Sequence, residues 1–297
     1  MTRLTIRPST SATALLIFVT VIWGFTFVTN QYVLKTMPAT DLLAWRFCLA
    51  ALLMLAFRPK AISQLSRTEQ KHGVILGLYL GLGYLAQMIG LTKTTATASG
   101  FITGMFVVLT PIVGGLILRQ KISAFAWLAV VLAAVGLSLI ALKGTTVGRG
   151  DLITLVCAVM FSFHIVFLSR WSKSEIVFGL TTLQLLVTGI FSLLLSLATG
   201  GPSVSSDGMV WLSIAILVLF ASCLGFFAQT WVQSKVSATR AAIILTMEPV
   251  FAGIAGVTIG TDDLSKRLVA GALCILTAMY LVELRPNKPE AIISLER

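Results

Sequence analysis

The stretch IILTMEPVFAG, residues 243–253, places a glutamate and a proline in the middle of an apolar run. A second stretch, FVVLTPIVGG at residues 106–115, has the same pattern, with Thr110 at the position that corresponds to Glu248. A carboxylate and a helix-breaking residue are both unfavourable inside a lipid bilayer. Their occurrence together makes Glu248 and Pro249 the first candidates for a functional site.

The composition is that of a membrane protein. The 297 residues are 57% hydrophobic and 11% charged, whereas soluble domains are roughly 45–50% apolar and about 25% charged. Apolar runs of about 20 residues, long enough to cross a bilayer, follow one another along the whole chain. We predict an all-α, polytopic membrane protein with ten transmembrane helices, at residues 12–34, 40–57, 73–91, 98–118, 123–142, 151–169, 177–198, 209–231, 239–259 and 267–284.

The basic residues set the predicted orientation. With both termini cytoplasmic, fifteen of the 22 Lys and Arg residues fall in inner segments and six in outer loops, while Arg46 lies within a span. Cytoplasmic loops carry such an excess of Lys and Arg. The net charge of +11 is therefore a signal of membrane topology. A nucleic-acid partner is not expected, because it would require the charge to be gathered on one folded surface with interleaved aromatic residues.

The chain contains an internal repeat. A shift of 138 residues places Pro111 on Pro249, WGFTFV (23–28) on FSFHIV (161–166), and Arg46 on Gln184. We predict a first five-helix repeat at 1–146, a second at 147–285 and a cytoplasmic tail at 286–297. Because five spans reverse the side on which the chain emerges, the second repeat is predicted to be inverted. Inverted repeats are typical of alternating-access transporters, although duplication alone would also produce a large helical bundle.

The repeated residues resemble a known family. The Trp23–Gly24 pair, AWRFCLAAL (44–52), LTP (109–111), MEP (247–249) and DDL (262–264) are similar to the EamA repeat of the drug/metabolite transporter superfamily. Among its members the chain resembles the YddG-like bacterial exporters of aromatic and other neutral amino acids. The resemblance implies a ten-helix basket in a bacterial-type inner membrane. Its central cavity would be bounded by spans one to four and six to nine, with spans five and ten to the side. The segment RQKIS (119–123) departs from the family pattern, which has an acidic turn there.

Pro111 and Pro249 are predicted to bend spans four and nine. Each proline frees the carbonyl four residues earlier, on Val107 and Leu245, and such a carbonyl must face protein or a wet cavity. A bend that only improves helix packing is the alternative. Glu248 is expected near the bilayer midplane, where an acid by default faces the interior of the bundle and marks a functional path.

Polar and aromatic residues at helical spacing are the predicted cavity lining. On span three, glycines at 73, 77 and 81 form a separate stripe suited to close helix contact. His164 has two interpretations, a satisfied core residue or a cavity residue, and we favour the second because its repeat partner, Thr26, is also polar. His72, by contrast, is expected in a loop. The predicted substrate-cavity residues are Trp23, Thr26, Asn30, Tyr79, Tyr84, Gln87, Thr103, Phe106, Thr110, His164, Ser222, Phe226, Gln229, Thr246 and Glu248.

Two further hypotheses concern charge. Glu248 and His164 could exchange a proton for substrate. Arg46 is a membrane charge that either extends to the outer surface or pairs with Asp41 or Glu248.

These groups favour a particular class of substrate. Phosphorylated substrates would require several convergent Lys or Arg groups, so a neutral or zwitterionic metabolite with an apolar side chain fits better. We predict export of small-molecule metabolites, specifically amino acids including aromatic ones. Other amphipathic metabolites or drugs are the alternative within the same superfamily.

Other classes of function have less support. An intramembrane enzyme would need a nucleophile and base or a metal site, and one buried histidine offers little of either. The sequence has no phosphate-binding loop of the ATPase type, and its four cysteines form neither a CxxC pair nor a Cys/His cluster. No cofactor or metal is therefore expected. The sequence does not indicate an oligomeric state.

Overall fold

A computed structural model describes residues 10–117, 124–143, 146–236, 238–245, 247–260 and 262–283, and nearly all of them are helical. The elements are α1 (Thr10–Val33), α2 (Ala39–Phe57), α3 (Arg67–Leu91), α4 (Ala96–Gly104), α5 (Phe106–Ile117), α6 (Ala124–Ala141), β1 (Leu142–Lys143), β2 (Thr146–Val147), α7 (Arg149–Trp171), α8 (Val177–Ala198), α9 (Gly208–Ile216), a π-helical segment (Leu217–Leu224), α10 (Gly225–Gln233), α11 (Ala238–Leu245), α12 (Met247–Thr258) and α13 (Lys266–Glu283). The all-α prediction is confirmed, because β1 and β2 form only a two-residue antiparallel ladder between α6 and α7.

The structure is that of a polytopic membrane protein. Within the described ranges, seven helical stretches are long and apolar enough to cross a bilayer. They are Ala14–Val33, Ala39–Phe57, Arg67–Leu91, Ala96–Ile117, Arg149–Trp171, Val177–Ala198 and Gly208–Gln233. Trp127–Ile140 and Met247–Thr258 are shorter apolar helices. The helix α13 carries charged residues at both ends (Lys266, Arg267 and Glu283), which lowers the mean hydropathy of its 18 residues. Ten crossings therefore remain a prediction.

The start of α3 differs from the sequence prediction. Ser66 and Glu69 form a reciprocal capping box, which satisfies backbone donors at the helix N-terminus, so the helix begins at Arg67 rather than at residue 73. The expectation that His72 lies in a loop is therefore wrong. His72 is part of α3, and its ring stacks on Trp171 of α7 with 4.1 Å between the ring centroids.

Among the described residues, two of the predicted spans depart from a continuous α-helix. The span predicted at 98–118 is divided at Met105 between α4 and α5, and Pro111 lies inside α5. The span predicted at 239–259 is described as α11 and α12, with Pro249 in α12, and Thr246 between them lies outside the described residues. The interruption at Met105 precedes Pro111. The span predicted at 209–231 contains the π-helical segment, which is a frequent feature of functional sites.

Close helix contacts hold the bundle together. The strongest contacts join α2 to α8, α3 to α7, and α6 to α13. The glycine stripe on α3 is confirmed as a contact surface, because Cβ atoms at Gly73, Gly77 and Gly81 would meet Leu183, Val187 and Phe191 of α8. Small residues allow helix backbones to approach closely in membranes. The stripe therefore fixes α3 against α8 and leaves other faces of α3 free for the interior.

Candidate functional site

A central cavity lies where α1, α3, α5, α7, α10, α11 and α12 meet. Its volume is about 30 Å³, and about 10–15 Å³ of such volume accommodates one water molecule. Drug-sized ligands usually occupy pockets of about 300–1,000 Å³, so the helices must separate before a ligand of that size can enter. The residues that line it are Trp23, Leu80, Tyr84, Phe106, Phe161, His164, Ile165, Phe226, Gln229, Leu245 and Glu248.

Aromatic rings form one wall of the cavity. The ring centroids of Trp23 and Phe226 are 5.2 Å apart, those of Tyr84 and Phe226 are 6.0 Å apart, and those of Tyr84 and Phe161 are 5.2 Å apart. Tilted and edge-to-face pairs at these distances are favourable. The wall therefore joins α1, α3, α7 and α10 into a preformed aromatic surface.

The position of Trp23 depends on two neighbouring features. Its Nε1 donates a hydrogen bond of 2.9 Å to the carbonyl oxygen of Ala221, in the π-helical segment. A Cβ atom at Gly225 would lie only 2.6 Å from that same Nε1. Glycine at this position therefore allows α10 to approach the indole closely enough for the hydrogen bond to form.

His164 lines the cavity and begins a chain of hydrogen-bonded polar groups. Its Nε2 lies 2.8 Å from Gln184 Oε1, and Gln184 Nε2 donates to Thr230 Oγ1 at 3.2 Å. Because the Gln184 amide nitrogen is used as a donor, its oxygen accepts, and Nε2 of the imidazole carries a hydrogen. Gln229 lies nearby with only 3% of its surface exposed, and its Oε1 has no partner in the described part of the chain. The cavity thus contains an acceptor that is available to a ligand donor.

Glu248 provides the acidic group of the cavity. It lies in the first turn of α12 and is 7% exposed. Within the described residues one ion pair is present, between Lys173 and Glu69 near the ends of α7 and α3, so Glu248 has no described basic partner. A charged carboxylate in such surroundings is unfavourable. A proton or a cationic ligand group would relieve this unfavourable charge.

The structure brings about half of the predicted site residues to this cavity. They come from six helices on both sides of the proposed repeat boundary, and they include the predicted acid and histidine. The predicted residues that line the cavity are Trp23, Tyr84, Phe106, His164, Phe226, Gln229 and Glu248.

Several other predicted residues are buried or half-buried and form hydrogen bonds within the bundle. Thr26 Oγ1 donates to the backbone of Trp23, and Thr110 Oγ1 donates to the backbone of Phe106. Gln87 Nε2 donates to Thr103 Oγ1 at 3.2 Å. Each of these groups uses a local partner and lies outside the cavity lining, which corrects the prediction that all of them line it.

The remaining predicted residues differ in their surroundings. Asn30 is 1% exposed, and its Oδ1 has no partner among the described residues, but it does not line the cavity. Ser222 accepts a hydrogen bond from Arg46. Tyr79 is placed away from the cavity, a further correction, because its ring stacks on Phe163 of α7 with centroids 5.3 Å apart. Thr246 lies outside the described residues.

Four lining residues were not predicted. Leu80, Phe161, Ile165 and Leu245 are apolar, and an apolar wall has the same composition as an ordinary helix contact in a membrane. The prediction rested on polar and aromatic residues at helical spacing, so the aliphatic positions Leu80, Ile165 and Leu245 gave no signal.

Arg46 is fully buried, with 0% of its surface exposed. The hypothesis that it extends to the surface is therefore wrong. Its Nε donates to Ser222 Oγ at 2.8 Å, and its guanidinium carbon lies 4.8 Å from the centroid of the Tyr84 ring. Asp41, one of the two proposed partners, instead accepts hydrogen bonds from Ser196, Thr40 and the backbone of Ser203.

The described residues contain no group of three or more His, Cys, Asp or Glu side chains that could hold a metal ion. The cavity combines an aromatic wall, an acid and a histidine. Together with the apolar helices, it defines a polytopic membrane protein with a buried polar cavity.

Comparison with known proteins assigns the family. The EamA-like transporter family matches residues 10–142 and again residues 148–284. An uncharacterized transporter of Archaeoglobus fulgidus is 32% identical, over 91% of this chain and 85% of the relative. The uncharacterized transporter YyaM of Bacillus subtilis is 25% identical, over 85% and 87% of the two chains. The chain belongs to the EamA-like transporter family, which points to a transporter rather than an enzyme.

A solved crystal structure has the same fold. It superposes with a TM-score of 0.66 at 18% identity, over 92% of this chain and 96% of that chain. Because nearly all of both chains is included, the likeness extends over the full arrangement of helices.

Proposed function

We propose that the chain is an alternating-access secondary transporter that exports amino acids, including aromatic ones, across a bacterial-type inner membrane. The observation that carries the proposal is the central cavity, in which an aromatic wall faces Glu248, His164 and Gln229. An aromatic or aliphatic side chain would contact the rings, while the polar groups orient the other end of the substrate.

The helix contacts support two inverted repeats of five spans each. Each helix in one half of the chain has a counterpart in the other half. When the helices are replaced by their counterparts, the α1–α12 contact corresponds to the α7–α5 contact, and the α3–α8 contact corresponds to the contact of α2 with the π-helical segment. The α2–α8 and α6–α13 contacts convert into themselves. This pairing is expected of a pseudo-two-fold axis in the membrane plane. We therefore retain ten spans, with repeats at 1–146 and 147–285 and both termini cytoplasmic.

The size of the cavity supports alternating access. A volume of about 30 Å³ excludes any amino acid, so a conformational change must enlarge the site on each cycle. The α4–α5 interruption at Met105 and the π-helical segment lie on opposite halves of the chain and provide places where the helices can bend.

We further propose that Glu248 and His164 exchange a proton for substrate. Both line the same cavity, and protonation of Glu248 would remove the unfavourable buried charge when the substrate leaves. A proton gradient would then drive export without nucleotide hydrolysis.

Counterflow in proteoliposomes tests the proposal. Purified protein is reconstituted with internal unlabelled amino acid, and uptake of labelled phenylalanine, tryptophan and threonine is followed with and without an imposed pH gradient. We expect exchange of at least one of the three. The absence of exchange for all three, in liposomes that retain folded protein, would contradict the assignment of amino acids as substrates.

A further inference from the structure

Arg46 is a buried cation whose terminal nitrogens are not used. It lies two turns into α2 and is fully buried. Its Nε donates to Ser222, whereas Nη1 and Nη2 have no hydrogen-bond partner in the part of the chain that the structure describes. A buried charge is unfavourable unless it is paired and hydrogen-bonded. Such a group needs a reason to be present.

No carboxylate among the described residues forms an ion pair with Arg46. Asp41, on the same helix, accepts three hydrogen bonds from Ser196, Thr40 and Ser203. Glu248 lines the cavity but forms no ion pair with a described residue. Arg46 therefore has no protein counter-charge among the described residues.

The guanidinium is positioned with its terminal nitrogens free. Its Nε is held by Ser222, and its carbon lies 5.0 Å from the Phe47 ring centroid and 4.8 Å from that of Tyr84. Aromatic faces hold a guanidinium without using its N–H donors. The two terminal nitrogens thus remain available as a fixed fork.

Tyr84 separates this fork from the central cavity. The same ring that lies beside Arg46 also lines the cavity with Glu248. A change in the Tyr84 side-chain rotamer, during the enlargement that any substrate requires, would connect Arg46 to the cavity. The aromatic wall would then lead from the apolar part of the site to the cation.

We propose that Nη1 and Nη2 of Arg46 bind the carboxylate of the exported substrate. This inference rests on the proposed function and narrows the substrates to those with a free carboxylate. The guanidinium fork matches a carboxylate in a bidentate manner. A single buried arginine, with an acid in the adjoining cavity, suits a monoanionic group better than a phosphate, and Glu248 favours a substrate that also carries an ammonium group.

Binding to the full-length protein in nanodiscs tests the proposal. Four probes distinguish binding of the carboxylate from binding of the amine and of a simple anion. They are L-phenylalanine, 3-phenylpropionate (carboxylate without amine), phenethylamine (amine without carboxylate) and chloride. Dissociation constants and melting temperatures are measured for the parent protein, Arg46→Gln, Arg46→Lys and the control Arg170→Gln. Arg170 is exposed near the end of α7, so the control makes the same charge change away from the cavity.

We expect Arg46→Gln to weaken phenylalanine and 3-phenylpropionate binding by about tenfold or more, as for loss of a charge-assisted hydrogen-bonded pair. Phenethylamine binding should change less than about twofold, since it lacks the group that Arg46 binds. The unliganded melting temperature of Arg46→Gln should equal or exceed that of the parent, because an unpaired buried charge is removed. Arg170→Gln should match the parent with every probe.

Parental phenylalanine affinity in Arg46→Gln would overturn the proposal, as would an equal, Arg46-dependent stabilisation by chloride alone. If Arg46→Gln does not fold, Arg46→Lys tests the proposal in its place. Weaker binding of phenylalanine and 3-phenylpropionate to this variant would support bidentate binding by the guanidinium, and unchanged binding would contradict it. The proposed function can be refuted independently of the carboxylate site. Arg46-dependent binding of 3-phenylpropionate by a protein that exchanges no amino acid would support the carboxylate site and refute amino acid export.

Discussion

Trp23 and Ala221 are 198 residues apart in the chain and are joined by a hydrogen bond of 2.9 Å from the indole Nε1 to the backbone carbonyl oxygen. The bond connects the first helix of one proposed repeat to the π-helical segment of the other. It also fixes the indole that begins the aromatic wall of the cavity.

Replacement of Trp23 by phenylalanine should weaken this connection. The Ala221 carbonyl would lose this hydrogen bond, which lowers the free energy of unfolding by about 0.5–1.5 kcal/mol. Thermal denaturation in detergent measures the change. Trp127→Phe is the control, because Trp127 is 55% exposed on α6. Equal melting temperatures for the two variants would contradict a structural role for the bond.

Replacement of Gly225 by alanine should displace the same indole. The new Cβ would lie 2.6 Å from Trp23 Nε1, and overpacking of this kind costs about 1–3 kcal/mol. Gly208→Ala is the matched control, since nothing lies within 4 Å of a Cβ there. The effect of Gly225→Ala should decrease in the Trp23→Phe background, because residues in contact are coupled. Strictly additive melting-temperature changes would show that the steric contact is not the cause.

Replacement of Asp41 by asparagine should loosen one end of the bundle. The Asp41 carboxylate accepts hydrogen bonds from Ser196 at 2.7 Å and from the backbone of Ser203 at 2.9 Å, and bonds to a charged group are worth about 1.5–3 kcal/mol. Hydrogen exchange of the amides between residues 199 and 207 should become faster. Asp263, which is exposed, provides the control Asp263→Asn. Unchanged exchange in this segment would argue that Asp41 does not hold it.

Replacement of Glu248 by glutamine should uncouple flux from the pH gradient. The amide retains the shape of the side chain but cannot exchange a proton, so exchange of phenylalanine should continue while its acceleration by an imposed gradient is lost. Proteoliposome flux with and without the gradient measures this, with the exposed Glu175→Gln as control. Retention of the parent's full response in Glu248→Gln would exclude the glutamate as the coupling group.

Much of the fold can be predicted from the length of the apolar runs in the sequence and from the polar residues that flank them. The helix predicted at 177–198 has the same bounds in α8, because the length of an apolar run and the polar residues that flank it are set by the bilayer. The place of Glu248 in the cavity lining was also predictable, since an acid in an apolar run by default faces the interior of the bundle. The number of membrane crossings was harder to establish, because α6 and α12 are short and α13 is charged at its ends.

The cavity lining could be predicted only in part. Tyr79 and Tyr84 were assigned to one stripe, yet five residues turn an α-helix by about 140° beyond a full turn. The two rings therefore point to different neighbours, Tyr79 to Phe163 and Tyr84 to the cavity. The burial of Arg46 beside Ser222 likewise depends on how α2 meets the π-helical segment, which no local pattern reveals.

Alternating access to the central cavity is tested most directly by thiol labelling. A single cysteine replaces Leu80, a lining residue, in a protein whose Cys48, Cys157, Cys223 and Cys274 are replaced by alanine. Ser206→Cys and Lys173→Cys, in exposed loops, report the outer and inner sides of sealed vesicles. We predict that an impermeant maleimide reaches Leu80→Cys from either side and that phenylalanine slows both reactions. Labelling from one side only, or from neither, would contradict the account.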